Sequence, residues 1–153
     1  MEFTTINDII DFAIKSEIEA AEFYENAAEN EGTKGIVTIL KEYAEEERKH
    51  ERMLKHLKDN KSKIETYSIK KIQDLKRSDY LVEMKYRPGM SYVEIVRVAM
   101  KREEKAYKLY TEMAQAAEKP ELNNIFSIMA QEEAKHKNYF ETMYDDYMAL
   151  QGD

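Results

Sequence analysis

Apolar residues recur at steps of three and four along four stretches of the chain, which is the spacing of helices that bury one face. The four predicted helices run from Thr5 to about Asn30, from about Lys34 to Asn60, from Tyr92 to about Ala117 and from Pro120 to about Leu150. The residues at the start of the first and third helices, Thr5 and Ser91, are each followed three positions later by an acidic residue, as in a capping box. Four helices with one apolar stripe each predict an all-α four-helix bundle.

A long connector, residues 61–90, joins the second helix to the third. Neighbouring antiparallel helices need only a few linking residues, whereas about thirty extended residues, at about 3.3 Å each, can run the full length of a bundle. We therefore expect a crossover connection that leaves the second and third helices parallel. A short helix is also predicted inside the connector, from Ile69 to Leu75.

The two helical hairpins are copies of one another. A shift of 86 residues aligns residues 5–55 with residues 91–141 without a gap, and 13 of the 51 positions are identical. Several identities are polar, and among them are Glu17 with Glu103, Tyr24 with Tyr110, Glu46 with Glu132, Glu47 with Glu133 and His50 with His136. We interpret residues 1–153 as a single domain, built from repeats at about 5–60 and 91–150 that contribute to one shared site.

A carboxylate interrupts the middle of each apolar stripe, and a histidine follows one turn later in the second and fourth helices. The interrupting residues are Glu17, Glu47, His50, Glu103, Glu133 and His136. Each glutamate lies about 13 or 14 residues from the turn of its hairpin, so all four reach nearly the same height at about 1.5 Å per residue. Four buried carboxylates repel one another and lose their hydration, and two divalent cations would neutralise them. Glutamate and histidine together suit iron or manganese, so the sequence predicts a two-metal site.

Composition narrows the possible functions. The chain has no cysteine, which excludes disulfides, thiolate nucleophiles, iron–sulfur clusters and a built-in rubredoxin-type iron site. The net charge of −7 argues against binding to nucleic acid or to an anionic membrane. No apolar run reaches the length of a membrane span and residues 1–11 lack a signal-peptide pattern, so we expect a cytoplasmic protein.

The spacing Glu-x6-Tyr-x22-Glu-x-x-His occurs twice, once in each hairpin. This doubled motif resembles the ferritin-like diiron-carboxylate superfamily, and within it most closely the rubrerythrins. The resemblance covers both hairpins and implies a ferritin-like bundle that binds two iron ions, with manganese or a mixed pair as alternatives.

The resemblance also implies a role for each residue of the motif. Terminal metal ligands would be Glu17 and Glu103, whereas Glu47 and Glu133 would bridge the two metals. Each histidine, His50 or His136, would bind one iron. The two tyrosines, Tyr24 and Tyr110, would hydrogen-bond a ligand carboxylate and steer its orientation.

Two differences from rubrerythrins change the expected chemistry. Rubrerythrins usually carry a rubredoxin-like domain with four cysteines, so electrons here must come from a separate donor such as a rubredoxin. They also usually have an extra glutamate three residues after the ligand of the third helix, which lets one iron move between histidine and glutamate. That position is Ala106 here, mirrored by Ala20, which argues against efficient peroxidase turnover but not against iron binding.

The leading interpretation is therefore an enzyme that reduces hydrogen peroxide or O₂ at a diferrous centre with an external reductant. The alternatives are an iron-handling ferroxidase and a metal-stabilised scaffold without activity. The long crossover and the motif spacing favour a homodimer. A basic segment, Arg48 to Lys63, is either a docking surface for an acidic electron carrier or a solvated helix end.

Overall fold

The computed structural model describes residue 3 and residues 5–30, 35–60 and 75–151. Within these ranges four long helices are present: α1 Ile6–Ala28, α2 Val37–Asp59, α3 Tyr92–Ala116 and α4 Pro120–Gln151. Helix α1 packs mainly along α2, and α3 packs mainly along α4, so each hairpin is a unit. The predicted all-α bundle is confirmed, and every helix boundary lies within three residues of its prediction.

The helix starts follow from their capping residues. The Thr5 hydroxyl accepts a hydrogen bond from the Asp8 backbone N–H, and the Asp8 carboxylate accepts one from the Thr5 backbone N–H, both at 3.1 Å. The Ser91 hydroxyl accepts a hydrogen bond from the Glu94 backbone N–H at 3.2 Å. Both caps satisfy backbone donors that the first turn of a helix leaves without partners.

Contacts between the hairpins fix the directions of the helices. Tyr24 of α1 contacts Glu103 of α3. Glu17, seven residues before Tyr24 in α1, contacts Tyr110, which is seven residues after Glu103 in α3. Helices α1 and α3 are therefore antiparallel. Since α1 is also antiparallel to α2 within its hairpin, α2 and α3 run in the same direction, and the crossover topology is confirmed.

The end of the connector is described from Leu75 onward. It contains a short 3-10 helix, Arg77–Asp79, and a buried Tyr80 whose hydroxyl donates to Glu112 of α3. Gly89, with φ of 85°, occupies the left-handed conformation that glycine tolerates best and turns the chain into α3. The predicted helix from Ile69 to Leu75 falls on residues outside the described ranges except for Leu75, which is not helical.

Two apolar clusters flank a polar layer across the middle of the bundle. One cluster contains Ile9, Leu54, Leu109 and Phe126, and the other contains Phe23, Leu40, Ile95 and Phe140. A fully buried side chain of this size contributes about 1.5–3 kcal/mol, so the two clusters together can offset the cost of burying charge between them. In the described part of the chain, no helix combines the length and apolarity that a membrane span requires.

Candidate metal centre

The six predicted ligand residues lie together in the polar layer. The glutamates are fully buried, and the two histidines are 1–2% exposed: Glu17, Glu47, Glu103, Glu133, His50 and His136. They form two groups of potential ligands, and in each group the ligand atoms lie within 4.8 Å of one another. Glu47 and Glu133 belong to both groups, which is the arrangement that two neighbouring metal ions with two shared carboxylates require.

Helix geometry explains why the histidines join the glutamates. Residues three positions apart lie on the same helix face, so Glu47 and His50 of α2 point into the layer together, as do Glu133 and His136 of α4. The Nδ1 atom of His50 lies 3.5 Å from Glu17 and 3.4 Å from Glu133. The Nδ1 atom of His136 lies 3.4 Å from Glu47 and 3.6 Å from Glu103. Both imidazoles therefore turn Nδ1 toward the carboxylates.

The opposite nitrogen of each imidazole is held by a glutamate of the other hairpin. His50 Nε2 donates to Glu132 at 2.9 Å, and His136 Nε2 donates to Glu46 at 2.5 Å. Such carboxylate–histidine pairs fix the ring orientation and raise the basicity of the inward nitrogen. Sequence reasoning did not assign these two roles, although Glu46 and Glu132 are identical in both repeats and that identity was the available signal.

The tyrosines connect the hairpins in the same reciprocal way. The Tyr24 hydroxyl donates to Glu103 at 2.5 Å, and the Tyr110 hydroxyl donates to Glu17 at 2.5 Å. Burial and the neighbouring carboxylates raise the pKa of each tyrosine well above its ordinary value, so both phenols keep their protons. Each phenol thus fixes one oxygen of a glutamate and leaves the other free for a different partner.

That other partner is Arg102, which sequence reasoning missed. Its side chain is 1% exposed, and its Nη2 atom lies 3.0 Å from Glu17 and 2.7 Å from Glu47. Its Nη1 atom lies 3.3 Å from Glu103 and donates to Glu133. The guanidinium therefore contacts the Oε2 atom of all four glutamates.

The sequence did carry one signal for Arg102. It lies seven residues after Ile95 and seven before Leu109, both buried on α3, so it occupies a position on the apolar stripe. The repeat comparison could not reveal it, because the matching residue in α1 is Ser16.

The protonation of the layer reflects competition between burial and charge. Burial alone would lower the pKa of both histidines, but hydrogen bonds to Glu132 and Glu17 raise that of His50 to about 11, and contacts with Glu103 and Glu133 raise that of His136 to about 9. Both imidazoles are therefore cations at neutral pH in the metal-free protein.

The glutamates divide into two kinds. Burial acts to raise the pKa of Glu17, but Arg102 and His50 outweigh it and lower the value to about 2. The pKa of Glu103 is lowered as well, since Arg102 and His136 outweigh its burial. Burial, opposed by Arg102 but reinforced by the other carboxylates, raises the pKa of Glu47 well above its usual range and that of Glu133 to about 7. The two carboxyls shared by both ligand groups are thus the ones that hold protons most tightly.

The donor set fits a metal pair. Six inward-facing carboxylate oxygens and ring nitrogens have no hydrogen-bond partner among the described residues, although ion-pair contacts reach several of them: Glu17 Oε2, Glu47 Oε1 and Oε2, Glu133 Oε1, His50 Nδ1 and His136 Nδ1. Buried polar atoms are rarely left in this state, and these types are those that bind iron or manganese. Arg102 is the feature that does not belong to such a donor set, since its donors repel cations.

The remaining residues that the sequence analysis singled out, so far as the structure describes them, contribute no ligand atom to the polar layer. His56 is exposed, and Ala20 and Ala106 are buried beside the polar layer. Four basic side chains in the described part of the segment that starts at Arg48 each contact a carboxylate: Arg48, Arg52, Lys55 and Lys58. These pairings favour a solvated helix end over a bare basic docking surface.

Comparison with known proteins matches this architecture. A model of the Rubrerythrin family matches residues 2–58 and 94–150, which are the two hairpins. The solved structure of a hypothetical protein from Pyrococcus furiosus is similar, with a TM-score of 0.76 and 22% sequence identity over 97% of this chain and 92% of that chain. At that level of identity the similarity shows the fold alone. No curated protein matches the chain significantly.

Proposed function

The chain belongs to the rubrerythrin family, and on that premise we propose that it is a diiron-carboxylate oxidoreductase that reduces hydrogen peroxide or O₂ with electrons from a separate donor. The observation that carries the proposal is the pair of overlapping ligand groups that share Glu47 and Glu133. Burying four carboxylates and two imidazoles in one layer costs folding free energy, and a bound pair of metal ions would offset that cost.

The chain's own residues support this chemistry by fixing the ligand atoms. Tyr24 and Tyr110 hold one oxygen each of Glu103 and Glu17, while Glu46 and Glu132 orient the two imidazoles. A bound pair of Fe(II) ions would supply two electrons, the number that converts one hydrogen peroxide molecule to two water molecules when two protons are added. Peroxide is therefore the better matched oxidant, because full reduction of O₂ takes four electrons.

A stopped-flow comparison tests the choice of oxidant. The protein is loaded anaerobically with about two Fe(II) per chain and mixed in a single turnover with equal concentrations of peroxide or O₂. We expect faster oxidation by peroxide. If O₂ reacts as fast or faster, the peroxidase assignment fails and a ferroxidase or oxygen-scavenging role replaces it.

Iron handling is the second candidate, and Ala106 favours it. The buried methyl group supplies no fifth carboxylate, so the ligand set stays symmetric and offers no alternative ligand for one iron. Oxidation of Fe(II) followed by release of Fe(III) needs no external reductant. The test is to add Fe(II) repeatedly in air without an electron donor. A ferroxidase would oxidise each addition, whereas a donor-dependent enzyme would stop once the iron that fills its site has been oxidised.

The predicted setting of the enzyme completes the proposal. A chain without cysteine has no iron–sulfur centre of its own, so we propose that a rubredoxin-like protein supplies the electrons in the cytoplasm. We also propose a homodimer, for which the mass of the metal-loaded protein in solution is the test, since a ferritin-like shell would be many times heavier. A metal-stabilised scaffold without activity is the third possibility, and a metal-loaded protein that consumes no peroxide when an electron donor is supplied would establish it.

A further inference from the structure

Arg102 occupies the place where the metal ions of the proposed centre would lie. Its guanidinium contacts the Oε2 atom of all four glutamates, and Nη2 lies 2.7 Å from Glu47. Those carboxylates are the same ones that form the two ligand groups. A metal bound to these oxygens at about 2.0–2.2 Å would stand in direct contact with the guanidinium nitrogens, so the two cannot be present together.

Charge leads to the same conclusion. Two divalent ions carry four positive charges, which balance four ionised glutamates when both histidines are neutral ligands. Arg102 would then be a fifth positive charge, buried and without a counter-ion, which is among the least favourable arrangements in a protein core. In the metal-free layer, by contrast, the guanidinium joins the two protonated histidines in neutralising the carboxylates, and it contacts all four of them.

The packing of Arg102 shows that it fills the centre without satisfying all of its donors. Nε and Nη2 make no hydrogen bond of good geometry among the described residues, although Nη2 is within ion-pair distance of two carboxylates. Five donors on a planar guanidinium cannot all point at oxygens that are arranged for two metal ions. Helix α1 contributes no second cation, since the matching residue is Ser16.

We propose that Arg102 is a resident cation that closes the centre in the metal-free protein and must withdraw before two metal ions can enter. The inference rests on the proposed metal-binding function. When the binding-competent state is only a fraction of the population, the apparent dissociation constant rises by the inverse of that fraction. Arg102 therefore sets the metal concentration at which the centre fills.

Mn²⁺ titrations of the metal-free full chain test the affinity. The variants are Arg102→Met, which keeps an unbranched side chain but removes the guanidinium and its charge, and Arg97→Met, which removes an exposed arginine of the same helix. We expect Arg102→Met to bind Mn²⁺ at least about tenfold more tightly than the natural chain, as a competent fraction of about one tenth implies. Arg97→Met should stay within about twofold, as surface charges usually do.

A measurement on the unmutated protein guards against poor folding of the variant. In ¹⁵N-arginine spectra, the buried Nε–H of Arg102, assigned by its loss in Arg102→Lys, should exchange slowly with water in the metal-free protein. Addition of Zn²⁺, a diamagnetic probe, should move this signal to the position and fast exchange of exposed arginines.

The outcomes separate the two proposals. Equal Mn²⁺ affinity in the natural chain and Arg102→Met, or an unchanged Arg102 signal with Zn²⁺ fully bound, overturns the resident-cation inference while metal binding stands. If neither the natural chain nor Arg102→Met binds Mn²⁺ or Zn²⁺, the metal-centre proposal fails and the inference falls with it.

Discussion

The two hairpins supply the same polar side chains to the centre but differ beside the first glutamate of each. Ser16 precedes Glu17 in α1 and is half-buried, whereas Arg102 precedes Glu103 in α3 and is fully buried among the four carboxylates. The residues common to both copies build a reciprocal shell, in which each hairpin orients ligands of the other. Arg102, which has no counterpart in α1, adds a guanidinium to the two protonated histidines that neutralise this shell when no metal is bound. The glutamates and histidines that both repeats share are thus the potential metal ligands, whereas Arg102, which only one repeat contains, competes with a metal for the carboxylates.

The largest effect should come from removing the two shared carboxylates. The double variant Glu47→Gln, Glu133→Gln keeps the shape of both side chains but replaces the shared carboxylates with neutral amides that cannot bridge two metals, so iron content should fall from about two per chain to near zero. Glu45→Gln, an exposed change on the same helix, is the control and should keep its metal. Elemental analysis after anaerobic loading and desalting gives the answer, and full occupancy in the double variant would refute the assignment of the site.

Removal of one histidine should affect only one of the two ligand groups. His50→Ala and His136→Ala each remove a ligand from a single group, so each should weaken one of the two metals and spare the other. Calorimetric titration would show one site lost and one retained. Simultaneous loss of both metals in either variant would mean that the two groups act as one.

The glutamates behind the histidines offer a finer comparison between the hairpins. Glu46→Gln and Glu132→Gln each weaken the contact that orients an imidazole, and metal affinity should drop by about 10–100-fold in each. Because the two contacts are reciprocal, the two losses should be similar. A large loss in one variant and none in the other, measured by the same titration, would show that only one imidazole is held in this way.

The stability of the metal-free protein should depend on pH through its cationic histidines. The pKa of His136 is about 9 against an ordinary 6.5, so its stabilising contribution is complete below pH 6.5 and is lost as pH rises through 9. A shift of this size corresponds to about 3 kcal/mol at most. Glu17 acts in the opposite direction: its pKa, lowered from 4.5 to about 2, gives stability that is present above pH 4.5 and lost as pH falls toward 2.

Urea unfolding from pH 5 to 9 measures this dependence. We expect the metal-free protein to lose stability between pH 6.5 and 9, while the metal-loaded protein, with neutral imidazole ligands, changes little over the same interval. The difference between the two forms should therefore widen as pH rises. A constant difference would show that the histidines are not charged in the metal-free core.

The smallest effects should come from the paired hydrogen bonds of the tyrosines. Tyr24→Phe and Tyr110→Phe each remove one buried donor from a carboxylate, which should lower the free energy of unfolding by about 1–3 kcal/mol. Each glutamate keeps its contact with Arg102, so neither variant should unfold at room temperature. Matching losses in urea titrations would confirm that the two contacts are equivalent, whereas a loss confined to one variant would show that the hairpins differ here too.

The sequence predicted the fold and the location of the ligand residues well because both follow from periodicity. Helical spacing and the 86-residue repeat placed Glu17 and Glu103 in the layer where the structure has them. The burial of Arg102 was not predicted, because a charged residue on a helix is ordinarily exposed. Its burial depends on four carboxylates, one from each of the four helices. The partners of the imidazoles escaped for a related reason, since Glu46 and Glu132 reach across to the other hairpin.

We propose that this layer holds two metal ions that share Glu47 and Glu133 and exclude Arg102. Crystals of the protein loaded anaerobically with iron, measured at the iron absorption edge, test it most directly. We expect two anomalous peaks about 3.5–4 Å apart between the shared carboxylates, with the Arg102 guanidinium withdrawn from them. Density for the guanidinium among the four glutamates, with no anomalous peak beside it, would contradict the claim.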